Sequence, residues 1–187
     1  MKRLLLPVLV PVLGLLACSA YAMQFSEVQT TSSQITFVSK QMGVPVEGRF
    51  GKFAAQLAFD PAKPDASKAR IDIDLASIDA GSEDANKEVR SKSWFNTTAY
   101  PTASFVASSV KPLGGNRYEV RGQLSIKGRS KDTLAVFNLK QDGKTAVFEG
   151  AFPFKRSEFG VGEGAWADPS VVADEVQVRF RLLANAK

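Results

Sequence analysis

Few side chains in this sequence could do chemistry, and their spacing narrows the choice quickly. Asp72 and Asp74 stand two apart, which puts both carboxylates on one face of a β-strand. A carboxylate pair can hydrolyse a glycosidic bond, one group acting as acid and the other as base or nucleophile. Arg156-Ser157-Glu158 sets a cation and an acid beside Gly160-Val161-Gly162-Glu163-Gly164, a run superficially like a phosphate loop. That run lacks the dinucleotide spacing and the strand-to-helix context, and no P-loop lysine follows it. It reads as a mobile loop at one end of the fold, with Arg156-Ser157-Glu158 as a surface turn.

The exclusions are firmer. The sequence has no histidine, and Cys18 is its single cysteine. Cys18 falls in the N-terminal leader described below, so the mature chain offers neither residue. Ser-His-Asp and Cys-His nucleophiles and most zinc, copper and haem sites are thereby removed. Asp72 and Asp74 alternate with Ile71, Ile73 and Leu75, the pattern of a solvated strand face opposite a buried one. A carboxylate hydrolase therefore ranks last, and the expectation is a protein that is not an enzyme.

The leader reads as an export signal. Lys2 and Arg3 precede the apolar run Leu4 to Leu16, and Ala20-Tyr21-Ala22 forms a small-x-small cleavage site before Met23. The run is broken by Pro7 and Pro11 and is too short to span a bilayer comfortably. The expected location is periplasmic, with cleavage after Ala22. The alternative is a lipoprotein acylated at Cys18 within Leu15-Leu16-Ala17-Cys18. Residues 23–187 then form one domain, with 22 Lys and Arg against 19 acids for a net +3. That charge is too mild and too evenly spread for a nucleic-acid partner. An exported chain without disulfides must hold together by its core.

The elements that position these residues are strands. Ser33–Ser39 alternates with Ile35 and Phe37 on one face, and Val44–Phe59 is one long strand bent at Gly48 and Gly51. Arg70–Leu75 follows a Pro-rich connector. Ser82-Glu83-Asp84 opens a short helix, with an N-cap and two acids where the helix dipole favours them. Thr102–Val110 resumes as a strand. Tyr118, Val120, Gly122, Leu124 and Ile126 share a face. Thr133–Lys140 follows with its inward parity open between Leu134/Val136 and Phe137/Leu139. Asp142-Gly143 is a hairpin signal before Phe148, Gly150, Phe152 and Phe154, and Val176–Leu182 closes the chain. This makes an all-β fold: an eight-stranded antiparallel barrel with a helical crossing near residues 83–97. A two-sheet sandwich is the alternative.

Inward parity gathers phenylalanines, thirteen against three tyrosines. Most must be packed core. A barrel of this size is either just filled by side chains or just wide enough for one small ligand. Gly122 and Gly150 sit at inward positions and are read as leaving space. Between helix and strand lies the densest aromatic stretch, Trp94-Phe95 through Tyr100-Pro101-Thr102-Ala103-Ser104-Phe105.

At that stretch the chain resembles the YceI-like family, exported lipocalin-like proteins that bind polyisoprenoids. The matching residues run nearly end to end. They include Ser33-Gln34-Ile35-Thr36-Phe37, Val46-Glu47-Gly48-Arg49-Phe50, Ser77-Ile78-Asp79-Ala80-Gly81, Tyr100–Phe105, Gly122–Gly128 and Arg156-Ser157-Glu158-Phe159-Gly160. Family members often carry histidine before the glycine of the opening motif, where this chain has Gln41-Met42-Gly43. The resemblance implies an extended barrel that needs no cofactor and holds a long amphiphile, such as an isoprenoid quinone, polyprenyl phosphate or fatty-acid derivative. The implied work is storage or transport, with transient membrane contact and a dimer as further options. Expected tail contacts are Phe37, Phe50, Phe53, Ile73, Leu75, Trp94, Phe95, Tyr100, Phe105, Leu124, Ile126, Phe148, Phe152 and Phe154. Lys40, Arg49 and Arg156 are the candidates for an anionic or carbonyl head group. The competing reading is an exported stress-response or protein-interaction module with a filled barrel.

Overall fold

Alternating apolar and polar residues fold the chain into antiparallel strands joined by tight turns, seen in a computed structural model that describes residues 23–187. The leader, its cleavage point after Ala22 and Cys18 lie outside the described residues. The strands are β1 (Phe25–Val28), β2 (Gln34–Gln41), β3 (Val44–Phe50), β4 (Phe53–Ala58), β5 (Lys68–Asp74), β6 (Ile78–Asp79), β7 (Thr102–Gly114), β8 (Arg117–Ile126), β9 (Arg129–Asp142), β10 (Thr145–Lys155) and β11 (Glu175–Ala186). The single α-helix among the described residues, α1, spans Glu83–Arg90.

The eleven strands reduce to eight long ones and a short addition. Gly51 and Lys52 interrupt β3 and β4, and a short 3₁₀ turn at Leu75–Ser77 interrupts β5 and β6 opposite them. The interruptions are bonded to each other, Gly51 N–H to Ser77 O at 3.0 Å and Asp74 N–H to Lys52 O at 3.0 Å. Each pair is therefore one bulged strand. Strands β7 to β11 follow as neighbours, β11 pairs with β2, and β2 pairs with β3. Because β3 also pairs with β6, through Arg49↔Asp79 and Phe50↔Ile78, the sheet curls round and returns on itself. Antiparallel curl rather than a two-layer sandwich is the outcome.

Short strand β1 was not among the expected eight. It pairs with β11, and Phe25 exchanges two backbone hydrogen bonds with Phe59, at 2.8 and 3.0 Å. This closes the rear end of the barrel, where an aromatic plug fills the lumen. Phe59 meets Tyr118 and Phe148 edge-on, both at 5.2 Å between ring centres. Such contacts add to the area these rings bury.

The inward parity of β9 is settled in favour of Ala135, Phe137 and Leu139, all buried, while Leu134 is exposed. On β8 the alternation holds as expected over Tyr118, Val120, Leu124 and Ile126. Helix α1 begins where Ser82 caps it, its hydroxyl accepting from Ala85 N–H at 3.2 Å. The helix is shorter than the expected crossing: residues 91–97 leave it as turns. Asn86, buried on α1, accepts from Ala80 N–H at 2.7 Å and pins the helix to the end of β6. The helix thereby stands over the front opening.

Candidate ligand-binding site

Two cavities occupy the lumen between the front opening and the rear plug. The front one encloses about 420 Å³. Its walls are Phe37, Val46 and Phe50 from β2 and β3, Ala85, Glu88 and Val89 from α1, Trp94 and Phe95 beyond the helix, and Phe154, Val161, Trp166, Val172 and Val176 opposite. The polar residues in its lining include Ser39, Lys40 and Gln41 from β2 and Asp84 and Glu88 from α1. The rear cavity, about 120 Å³, is apolar throughout its exposed lining. Ile35, Ile71, Ile73, Phe105, Leu124, Phe152 and Phe180 face it. Val178 lines both, so the two form a tandem along the barrel axis. Volumes of this order suit one small or slender ligand.

The front wall depends on one buried cation. Arg156 is 2 % exposed and gives every N–H of its guanidinium to a backbone carbonyl. Nε donates to Ala173 O at 3.1 Å, Nη1 to Val161 O at 3.0 Å and Gly162 O at 2.8 Å, and Nη2 to Trp166 O and Val172 O at 2.7 Å each. These carbonyls belong to the β10–β11 connection, which is thus wrapped round a single side chain. Burial lowers the Arg156 pKa and the nearby Asp174 charge opposes that shift. The guanidinium also lies 5.6 Å from the Trp94 ring centre, a cation–π distance. Trp94 and Trp166 pack at 5.7 Å, and Trp166 donates its indole N–H to Glu88 at 2.7 Å. Ser93 O accepts from Gly162 and Glu163 N–H at 2.9 and 2.8 Å, tying the connection to the segment after α1.

No group of three or more His, Cys, Asp or Glu among the described residues could hold a metal ion. Asp72 is engaged by Arg70, with both contacts at 2.7 Å, and Asp74 caps the following turn through Ala76 N–H at 2.9 Å.

This architecture has known counterparts. A model of the YceI-like domain matches residues 27–184. The chain belongs to the YceI-like family. A UPF0312 protein of Azotobacter vinelandii is 32% identical over 120 residues, which cover 61% of this chain and 62% of that one. The chain thus spans about six tenths of that relative's length. The crystal structure of BcnA from Burkholderia cenocepacia is 47% identical, with a TM-score of 0.83, and covers 85% of this chain and 100% of that one. A polyisoprenoid-binding domain from Saccharophagus degradans, implicated in plant cell wall breakdown, shares the fold. Its TM-score is 0.66 at 20% identity, over 88% of this chain and 99% of that one.

In this YceI-like chain most of the expected tail contacts do face a cavity. Phe37, Phe50, Trp94, Phe95 and Phe154 line the front one, and Ile73, Phe105, Leu124, Phe148 and Phe152 the rear. Four do not. Leu75 and Ile126 are buried in the core away from both cavities, and Phe53 packs against that core. Tyr100 is 39% exposed and lies over Gly128 on the outside. Its proline neighbour turns the chain into β7 before the ring can face inward.

The head-group candidates divide in the same way. Lys40 lines the front cavity. Arg49 alternates with inward Gly48 and Phe50, so it points out and pairs with Asp79 at 3.2 Å. Arg156 does reach the front cavity, but its donors are spent on carbonyls, so it shapes the wall and offers no hydrogen bond to a ligand. Two loop readings are likewise corrected. The glycine-rich run, expected as a loop at one end of the fold, has Gly160, Val161 and Gly162 buried around Arg156. Of the expected surface turn, Ser157 and Glu158 are exposed but Arg156 is not. Trp166, Glu88 and Val172 were missed. Trp166 follows a loop whose path is set by Arg156, which no local periodicity reveals. Glu88 was legible in principle, since it lies one turn after Asp84 on the face carrying Ala85 and Val89.

Proposed function

We propose that this protein binds one long amphiphile, with its apolar tail along the two cavities and its polar end beside Lys40, Gln41, Asp84 and Glu88. The observation that carries the reading is the pair of cavities that share Val178, wholly apolar at the rear and mostly apolar at the front, where Lys40, Gln41, Asp84 and Glu88 add polar groups to the lining. A filled barrel would show neither. Burying a prenyl or alkyl tail in an apolar lumen is worth about 0.8 kcal/mol per CH₂. Several such groups outweigh the cost of ordering the tail.

The S. degradans relative of the same fold is a polyisoprenoid-binding domain, which favours a prenyl tail over other apolar ligands. The sequence supports an exported, periplasmic protein, and a non-catalytic store or carrier fits a chain without histidine or cysteine in its mature part. Front-cavity polarity is mixed, with Lys40 against Asp84 and Glu88, so a carbonyl or quinone head suits it better than a multiply charged one.

Both tryptophans of the chain, Trp94 and Trp166, line the front cavity. Titration with a prenylated benzoquinone should therefore quench intrinsic fluorescence saturably, with one equivalent bound. Fluorescence that falls no more than that of free tryptophan in the same titration would contradict the reading.

A further inference from the structure

Three glycines stand inside strands at inward positions: Gly48 on β3, Gly122 on β8 and Gly150 on β10. None has a positive φ, so backbone freedom is not what they supply. In a strand interior such a residue weakens the sheet unless something needs its space. Here the space is taken. A β-carbon at Gly150 would stand 2.5 Å from both Phe180 Cζ and Val136 O, and one at Gly122 would stand 2.4 Å from Val106 O and 2.5 Å from Phe105 Cζ. One at Gly48 would fall into the ring of Phe37 and stand 2.6 Å from Asp79 O.

The register explains the geometry. Phe37 is the cross-strand partner of Gly48, and Phe180 is that of Gly150. Phe105 lies diagonal to Gly122, which pairs with Ala107. Each ring leans sideways over its neighbour's bare backbone, an aromatic side chain covering a strand glycine. All three rings line a cavity, Phe37 at the front and Phe105 and Phe180 at the rear. A ring laid along the wall intrudes less on the lumen than one standing up from it. The sequence reading of Gly122 and Gly150 as empty space is thus replaced: they are sockets, and the space they create lies further in.

We infer that Gly48, Gly122 and Gly150 are specificity-determining positions, which set the bore of the lumen by seating Phe37, Phe105 and Phe180, and so fix the cross-section of tail the protein accepts. The inference rests on the amphiphile-binding reading. A methyl at a socket tips the ring inward and narrows the lumen, which excludes methyl-branched tails before straight ones.

The test compares wild type, Gly150→Ala and the double variant Gly150→Ala with Phe180→Leu. The probes are farnesol, which is methyl-branched, and 1-pentadecanol, which is straight and has the same number of carbons. Gly150→Ala should lose farnesol by about tenfold or more, the discrimination one methyl provides in an apolar pocket, while pentadecanol changes far less. The double variant should recover farnesol, since the smaller side chain vacates the socket. Equal loss of both probes, or no recovery in the double variant, would overturn the inference. The second result would assign Gly150 to close strand approach, because Val136 O also stands 2.5 Å from that β-carbon. Crystals of wild type and Phe180→Leu under xenon separate this inference from the binding reading and stand in if Gly150→Ala fails to fold. A new xenon site beside Gly150 in Phe180→Leu supports the socket even if neither alcohol binds, and its absence sinks it.

Discussion

The indole N–H of Trp166 donates to Glu88 Oε1 at 2.7 Å and so joins α1 to a connection 78 residues further along the chain. Both residues line the front cavity, so this bond fastens one side of the opening to the other. Trp166→Phe keeps an aromatic ring and removes the donor. It should lower stability by about 1–2 kcal/mol, the range for a bond to a charged group that solvent partly replaces. Its sharper consequence is kinetic: a bound amphiphile should dissociate faster, measured by transfer to acceptor vesicles, with the circular-dichroism spectrum unchanged.

Arg156 organises the same wall from beneath. Lysine at this position cannot reproduce a planar fork of five donors. Arg156→Lys leaves at least two buried carbonyls without a partner, at roughly 1–3 kcal/mol each. Denaturant unfolding should show a loss of several kcal/mol, and protease cleavage should move into residues 157–173.

Val178 is the one residue among those described that faces both cavities. Val178→Trp should divide the lumen, at a cost of about 1–3 kcal/mol for overpacking. Chains long enough to need both cavities should lose affinity, whereas short-chain analogues confined to the front should bind as before. Equal affinity for long chains in the variant and wild type would show that the tail does not pass this point.

Acid should loosen the β10–β11 connection. Burial would raise the Asp174 pKa, but hydrogen bonding from Ser157, with the backbone N–H contact at 3.0 Å, and the charges of Arg156 and Lys155 outweigh it and hold the carboxyl below its usual range. The folded-state value is the lower one, so this contribution is present above the unfolded value and is lost as pH falls through the folded one. Asp168, held low by Ser170, and Glu149, held low by Lys140 and Arg181 against its own desolvation, act with the same sign. The denaturant midpoint should therefore drop between about pH 5 and about pH 3, and Asp174→Asn should remove part of that drop.

The barrel wall was legible where polar and apolar residues alternate one for one. On β8 the sequence Tyr118-Glu119-Val120-Arg121 leaves no choice of face, and the structure follows it. On β9, Leu134-Ala135-Val136-Phe137 is apolar on both faces, so period alone carries no information. The decision there falls to Phe137, which must reach Tyr118 and Phe148 in the plug. Arg49 could have been placed outside from its inward neighbours Gly48 and Phe50. Arg156 could not, because its five acceptors lie between 5 and 17 residues downstream in a segment without regular structure. The glycine sockets were half legible: parity put the glycines inside, but only the cross-strand register shows which ring each one seats.

The most direct test of amphiphile binding is native mass spectrometry of the protein purified from a bacterial periplasm without detergent, followed by organic extraction of the same sample. The proposed function predicts a protein ion carrying one extra mass, released into the organic phase as a prenyl-type lipophile. An empty protein that also takes up neither prenylated benzoquinone nor polyprenyl phosphate when these are supplied would contradict it.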